Sequence, residues 1–322
     1  MKRLTVAMGV LLAGITAASA QQFPNRPITI VVPFAAGGPI DTTTRIVAEK
    51  MKDTLGQPIV IENVGGAAGS LAAGRVAKAA PDGYTLITGI WGTHVANGAI
   101  YQLSYDVKDD FTPVGLISSN PLLIVSSKQL PANTLQELVS WLKQNPDKAS
   151  QGTSGVGSVG HVAGAFFHTK TGTKFRFIPY RGLAPAMQDL VAGNVDLMFD
   201  TPATSLPHVK SGNIRAYAVT SPQRIKAAPD IPTVDEAGLA GFYISTWTAL
   251  FAPKGTNKDV VAVLNKAVMN ALADPAVQKR LAEVGQDVYP VEQQTAEFLA
   301  KFQADEIEKW WPIIKAAGIK AD

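Results

Sequence analysis

The stretch 28-ITIVVPFAAGGPIDTTTR-45 passes from an unbroken apolar run through Pro33 into a loop of small residues, then into a helical pattern. A Val/Ile run of this kind predicts a buried parallel strand. Gly37 and Gly38 allow close backbone approach, and Asp41 or Thr42 is placed to cap the helix that Arg45 and Val47 continue. Asp41 is equally placed, one turn before Arg45, to pair with it. Strand, glycine turn and helix N-terminus together offer free backbone N–H groups, which attract anions.

The unit recurs. Gln57–Asn63 reads as a second strand, Gly65–Ser70 as a second glycine turn entering a helix through Lys78, and Tyr84–Gly89 as a third strand followed by the loop Trp91–Asn97. Strands alternating with helices predict an α/β fold whose functional edge lies at the strand C-termini. Two apolar runs within Pro113–Ser127, parted by Ser118-Ser119-Asn120-Pro121, mark a first crossover. After a helix over Thr134–Gln144 the opening motif returns as Ser154–Gly160, with a helix from His161 to Lys170 and strands at Phe175–Tyr180, Val195–Phe199 and Ile214–Thr220. A short capped helix is expected within 231–241, a long return strand at Tyr243–Pro253, and a helical block over 258–314 without strand partners of its own. The layout is two lobes, the second inserted into the first: 21–121 with 246–322, and 122–245.

The first 20 residues carry Lys2 and Arg3, an apolar run and Ala18-Ser19-Ala20, the pattern of a secretory signal peptide cleaved after Ala20. Removing Lys2 and Arg3 from 29 basic residues leaves 27 against 26 acidic, a net charge near +1. No Lys/Arg run or nucleic-acid motif is present, which argues against a nucleic-acid partner. With no cysteine there is neither a disulfide framework nor thiol chemistry.

Two glycine loops in different lobes predict a cleft in which facing backbone donors hold a small anion. The candidate residues are Phe34, Ala35, Ala36, Gly37, Gly38 and Asp41 in one lobe, and Ser154, Gly155, Gly157, Ser158, His161, Tyr180, Arg181 and Asp200 in the other. Trp91, Thr93 and His94 follow a strand end and are expected at the same cleft. His161, at a helix start, is favoured neutral and able to donate one N–H to a carboxylate. Gly155-x-Gly157-x-x-Gly160 matches a dinucleotide fingerprint, but polar residues precede it and Tyr180-Arg181 stand where an acid is needed. A triad of Ser154, His161 and Asp200 fails the nucleophile-elbow pattern at Val156; an exported hydrolase using Ser154 or Ser158 with His161 is the rival reading. No His/Asp/Glu spacing favours a metal, and no cofactor is expected.

The chain resembles the substrate-binding receptors of tripartite tricarboxylate transporters, the Bug family. The carrying residues are RPITIVVPFAAGGPIDTTTR (26–45), LGQPIVIENVGGAAGSLAAGRVAKAAPDGYTLITG (55–89), TSGVGSVGHVAG (153–164), IPYRGLAPAMQDLVAGNVDLMFD (178–200), IRAYAVTS (214–221), PDIPTVDEAG (229–238) and LFAPKGT (250–256), in this order and spacing. The resemblance implies a periplasmic binding protein of the type II two-lobed fold; a monomer is the separate expectation for its assembly. It closes over a carboxylated solute, held by backbone amides, hydroxyls and bridging waters, and delivers it to a membrane permease. Ala35-Ala36 stand where many members carry prolines, and Trp91–His94 lie in a region that varies with ligand.

Overall fold

In the computed structural model, which describes residues 23–320, the opening apolar run forms β1 (Ile28–Val32) and the pattern after Gly38 forms α1 (Pro39–Leu55). The expected signal peptide lies outside the described residues. β2 (Ile59–Asn63), α2 (Ser70–Val76) and β3 (Thr85–Ile90) follow, then a π-helical turn over Gly92–Ala96 that runs into α3 (Asn97–Ile100). β4 (Phe111–Pro121) leads directly to β5 (Leu123–Ser127), the first passage between two sheets. The second sheet is built from α4 (Leu135–Gln144), β6 (Ser150–Thr153), α5 (Val159–Thr171), β7 (Arg176–Pro179), α6 (Leu183–Ala192), β8 (Leu197–Asp200), α7 (Pro202–Lys210) and β9 (Ile214–Val219). β10 (Ser245–Pro253) returns to the first sheet, followed by α8 (Lys258–Ala273), α9 (Pro275–Glu283), β11 (Asp287–Val288) and α10 (Ala296–Ala316).

The first sheet has the order β11-β4-β10-β3-β1-β2 and the second β7-β6-β8-β5-β9. β1 pairs parallel with β2 and β3, whereas β10 runs antiparallel to both β3 and β4. Each sheet, clothed by helices on both faces, makes one lobe, and the architecture is that of a type II periplasmic binding protein. Ile28, Ile30, Leu86 and Leu250 are buried under α1 and α8 on one face of the first sheet, while Val31, Ile87 and Phe251 meet Trp91, Val95 and Trp310 on the other.

Three expectations need correction. The C-terminal block does contain a strand: β11 pairs with β4 through Asp287↔Ser119 and Val288↔Ser118. The polar segment SQGT is a wholly buried strand, because Ser150 donates to Asp196 at 2.7 Å and Gln151 to the Gly160 carbonyl at 2.7 Å. The segment 231–241 is a series of turns rather than a helix. Thr233 and Glu236 form a reciprocal capping box there, but Gly238 at φ +81° and Gly241 at φ +74° turn the chain left-handed.

Candidate functional site

In the first lobe, Pro39 occupies the first position of α1, where its missing N–H costs nothing. Gly38 is the N-cap, so neither Asp41 nor Thr42 caps the helix. Asp41 instead reaches back from the first turn: one carboxylate oxygen accepts the Gly37 amide at 2.8 Å and Arg45 Nε at 2.9 Å, and the other accepts Asn63 Nδ2 at 3.0 Å. Asn63 Nδ2 also donates to the Phe34 carbonyl at 3.0 Å. Burial pushes the Asp41 carboxyl up, but the hydrogen bonds from Arg45, Gly37 and Asn63 outweigh it and hold it at about 2. The loop is therefore braced by a charged network at its base. Its tip is free: Ala35 and Ala36 are exposed, and their amides have no protein acceptor among the described residues.

The second glycine turn stands beside this loop. Gly69 has φ +86°, and a Cβ there would lie 2.6 Å from Thr93 Cγ2 and 3.5 Å from Phe34 Cζ, so only glycine fits. Asn63 was not among the residues singled out from the sequence. The one signal for it was a polar side chain closing a strand, in register with Val32 at the end of β1.

In the second lobe the loop Ser154–Ser158 links β6 to α5. Ser158 is the N-cap, its Oγ accepting the His161 amide at 3.3 Å. His161 Nδ1 accepts the Gly157 amide at 3.1 Å, which places the proton of the neutral ring on Nε2. Burial pushes this imidazole below its ordinary value. Gly155 (φ +128°) and Gly157 (φ +76°) supply the left-handed turns, and the amides of Ser154 and Val156 have no protein acceptor among the described residues. Gly157 lies against the other lobe, since a Cβ on it would stand 2.9 Å from Ile100 Cδ1.

Asp200 closes β8 and is 1 % exposed. One oxygen accepts Ser205 Oγ at 2.6 Å and the other has no partner; burial pushes the carboxyl up to about 6 against the hydrogen bonds from Ser205 and the Thr201 amide. Tyr180 turns back into its own lobe and donates to Asp189 at 2.5 Å, with burial and that bond raising the phenol to about 12. Arg181 is exposed at the lobe surface.

Trp91, Thr93 and His94 do not present their side chains to the cleft. The π-helical turn carries all three into the core of the first lobe, at 1 %, 0 % and 0 % exposure. Trp91 meets Trp310 edge-on at 5.7 Å, and His94 stacks on Phe251 at 4.2 Å while its Nδ1 bonds Thr93 Oγ1. Burial alone holds His94 at about 3, hence neutral.

The triad is also not assembled. His161 Nδ1 is occupied by Gly157, Ser158 Oγ faces the His161 amide, and Asp200 bonds Ser205 rather than a histidine. Among the described residues no group of three or more His, Cys, Asp or Glu side chains is placed to hold a metal.

Two α/β lobes joined by paired strands, each presenting a glycine loop and a helix N-terminus at its strand ends, define a two-lobed solute-binding protein. The chain belongs to the tripartite tricarboxylate transporter family receptors, whose model matches residues 43–319. This is a family of solute-binding receptors and not of enzymes. Among solved structures, the chain is similar to the periplasmic binding protein BugD at 39% identity and a TM-score of 0.75, with 93% of this chain and 100% of that one covered. It is similar to MatC from Rhodopseudomonas palustris with bound malate at 42% identity and a TM-score of 0.76, covering 91% and 100%. R. palustris Rpa4515 with adipate matches at 35% identity and a TM-score of 0.78, covering 93% and 100%.

Proposed function

We propose that this receptor, exported to the periplasm by cleavage after Ala20, captures a small carboxylate between its lobes as a monomer and delivers it to the membrane permease of a tripartite tricarboxylate-type transporter. The lobes in this reading are 21–121 with 246–322, and 122–245. The observation that carries it is the pair of glycine loops whose amides at Ala35, Ala36, Ser154 and Val156 are left without protein acceptors, each loop opening a long helix.

A helix N-terminus contributes roughly 0.3 to 1 kcal/mol toward an anion, up to about 2 when partly buried. Hydrogen bonds to a charged group net about 1.5 to 3 kcal/mol each. Four such bonds reach the roughly 8 kcal/mol of micromolar binding. A ligand touching both loops binds the closed form best and shifts the lobes toward it. Ser158 and His161 Nε2 stand ready as further donors, and Asp200 as the acceptor for a ligand hydroxyl or amine. Acidic amino acids, tricarboxylates and aromatic acids suit backbone donors too. The malate and adipate in the two related structures put aliphatic dicarboxylates first; an aromatic acid would stack on the loop aromatics Phe34, Trp91 and Tyr180, of which Trp91 is buried and Tyr180 bonds Asp189.

The test is thermal unfolding of the mature protein, stripped of bound ligand by unfolding and refolding, against mono-, di- and tricarboxylates and acidic amino acids. At about 100 times its dissociation constant a ligand stabilises by roughly 2.7 kcal/mol, a rise of about 5 °C for a protein of this size. A shift with malate or adipate is the expected result. Silence across every carboxylate overturns the proposal.

A further inference from the structure

β8 has β6 on one side and β5 on the other, and each neighbour brings a different part of the cleft to its C-terminal end. β6 runs parallel to β8 with Gln151 opposite Leu197. Continued three residues, that register sets Ser154, the first residue of the glycine loop, level with Asp200, and adjacent strands lie about 4.8 Å apart. β5 runs antiparallel to β8 with Leu123 opposite Asp200, just beyond Pro121, where the chain passes from the first sheet to the second. Asp200 therefore stands at the base of the cleft, between the glycine loop and the crossing strands.

α5 starts against the same strand end, since a Cβ on Gly160 would lie 2.7 Å from the Phe199 carbonyl. Ser205 of α7 fixes one oxygen of Asp200 at 2.6 Å, while Oδ1 is buried and has no partner. The donors to this carboxylate, Ser205 Oγ and the Thr201 amide, are neutral, and no cation acts on it among the described residues. Withdrawn from water in this way, its charge is costly until another donor arrives. The Ser154 amide, without a protein acceptor among the described residues, is free to hold a ligand carboxylate. One strand spacing away, Oδ1 is level with whatever the next ligand carbon carries. A hydroxyl or an ammonium there donates to Oδ1 and completes it. A bare methylene leaves it unpaired, with the like charge of the ligand carboxylate close by. A site with a buried polar group rejects most strongly the analogue that leaves that group unpaired, so Asp200 selects against the unsubstituted chain as well as for the substituted one.

We propose that Asp200 sets the ligand class of this receptor: a dicarboxylate bearing a hydroxyl or ammonium group on the carbon next to the carboxylate held at Ser154, in preference to the unsubstituted chain. The inference rests on the receptor reading above and narrows it from carboxylates in general to this subclass.

The experiment is calorimetric titration of the mature protein, stripped of bound ligand, with matched compounds at two chain lengths: succinate against L-malate and L-aspartate, and adipate against L-2-aminoadipate. It is run on the wild type, on Asp200→Asn, which keeps the shape and removes the charge, and on Asp200→Leu, which removes the acceptor. In the wild type a substituted compound binds at least about tenfold more tightly than its unsubstituted parent. Asp200→Asn weakens the amino compounds more than malate, because an amide oxygen still accepts from a hydroxyl. Asp200→Leu erases the preference and leaves the parent's affinity unchanged or improved. Equal affinity for parent and substituted compounds in the wild type, or a preference that survives Asp200→Leu, overturns the inference and leaves the receptor reading standing. A loss shared equally by every compound in both variants also overturns it, since that is the mark of a carboxylate that only supports the fold. Silence of the wild type toward all these compounds overturns the inference too, and the wider unfolding screen then decides the receptor reading separately.

Discussion

Asp41 and Asp200 are both buried carboxylates at the strand ends of their lobes, and they are held in opposite ways. Asp41 is surrounded by donors from Gly37, Arg45 and Asn63 and sits at about 2. Asp200 has one oxygen satisfied and one bare, and sits at about 6. Burial acts in the same direction on both but weighs more on Asp200, which lies deeper, while only Asp41 has a guanidinium, that of Arg45, beside it. The first lobe therefore carries a permanently charged, rigid brace under its loop. The second carries a carboxylate whose charge is costly, above a loop held by the neutral contacts of Ser158 and His161.

The largest expected effect breaks the brace. Asp41→Ala removes the anchor of the Gly37 amide, deprives Arg45 Nε of its acceptor and leaves Asn63 Nδ2 only the Phe34 carbonyl, costing about 2.7 kcal/mol of ligand binding, roughly a hundredfold in Kd. Calorimetry with whichever carboxylate the unfolding screen selects reads this directly, and an unchanged Kd would show that the loop does not need its base.

Next in size is the opposite carboxylate. A raised folded-state value means that the penalty for ionising Asp200 appears as pH rises from about 4 through about 6 and is complete above it. Asp200→Asn removes that penalty, so relative to the wild type it gains about 2 kcal/mol between pH 4.5 and pH 8. Urea unfolding at the two pH values checks this; a constant difference between variant and wild type would sink the contrast. For Asp41 the sign is reversed: its contribution is present above about 4 and lost as pH falls toward about 2.

A smaller change separates the loops by capping. Ser158→Ala should cost about 1 kcal/mol of stability by deleting the N-cap of α5, whereas no such substitution exists for α1, whose cap is Gly38. The smallest effect concerns His161. With its folded value lowered by burial, stability is complete above the ordinary imidazole value and declines as pH falls below it, because a protonated ring can no longer accept the Gly157 amide. His161→Gln should flatten that decline in an acid titration of stability.

How far the sequence could be read follows from where each residue's partners lie. β1, β3 and the helix over 135–144 were legible because apolar periodicity is local. β6 was not, since Ser150 and Gln151 are buried only by virtue of Asp196 and the Gly160 carbonyl, which polarity alone does not reveal. The short capped helix expected within 231–241 was not found: Thr233 and Glu236 form a cap, but Glu236 is also engaged by Arg224 and the glycines turn the chain away before a helix forms. Within the candidate site, the glycine loops were legible from their position between strand and helix. The exclusion of Trp91, Thr93 and His94 was not, because it depends on Phe251 and Trp310, far along the chain.

The sequence by itself determined the repeated strand–glycine–helix units, their division between two lobes and the family to which they belong, since each is written in local spacing and in the order of segments. Only the tertiary structure decided which loop amides stay free, which carboxylate keeps its charge and which strand-end side chains turn into the core. Those outcomes depend on donors and rings brought in by distant segments, such as Asn63 at Asp41 and Phe251 at His94, and desolvation acts only once those partners have closed around the group.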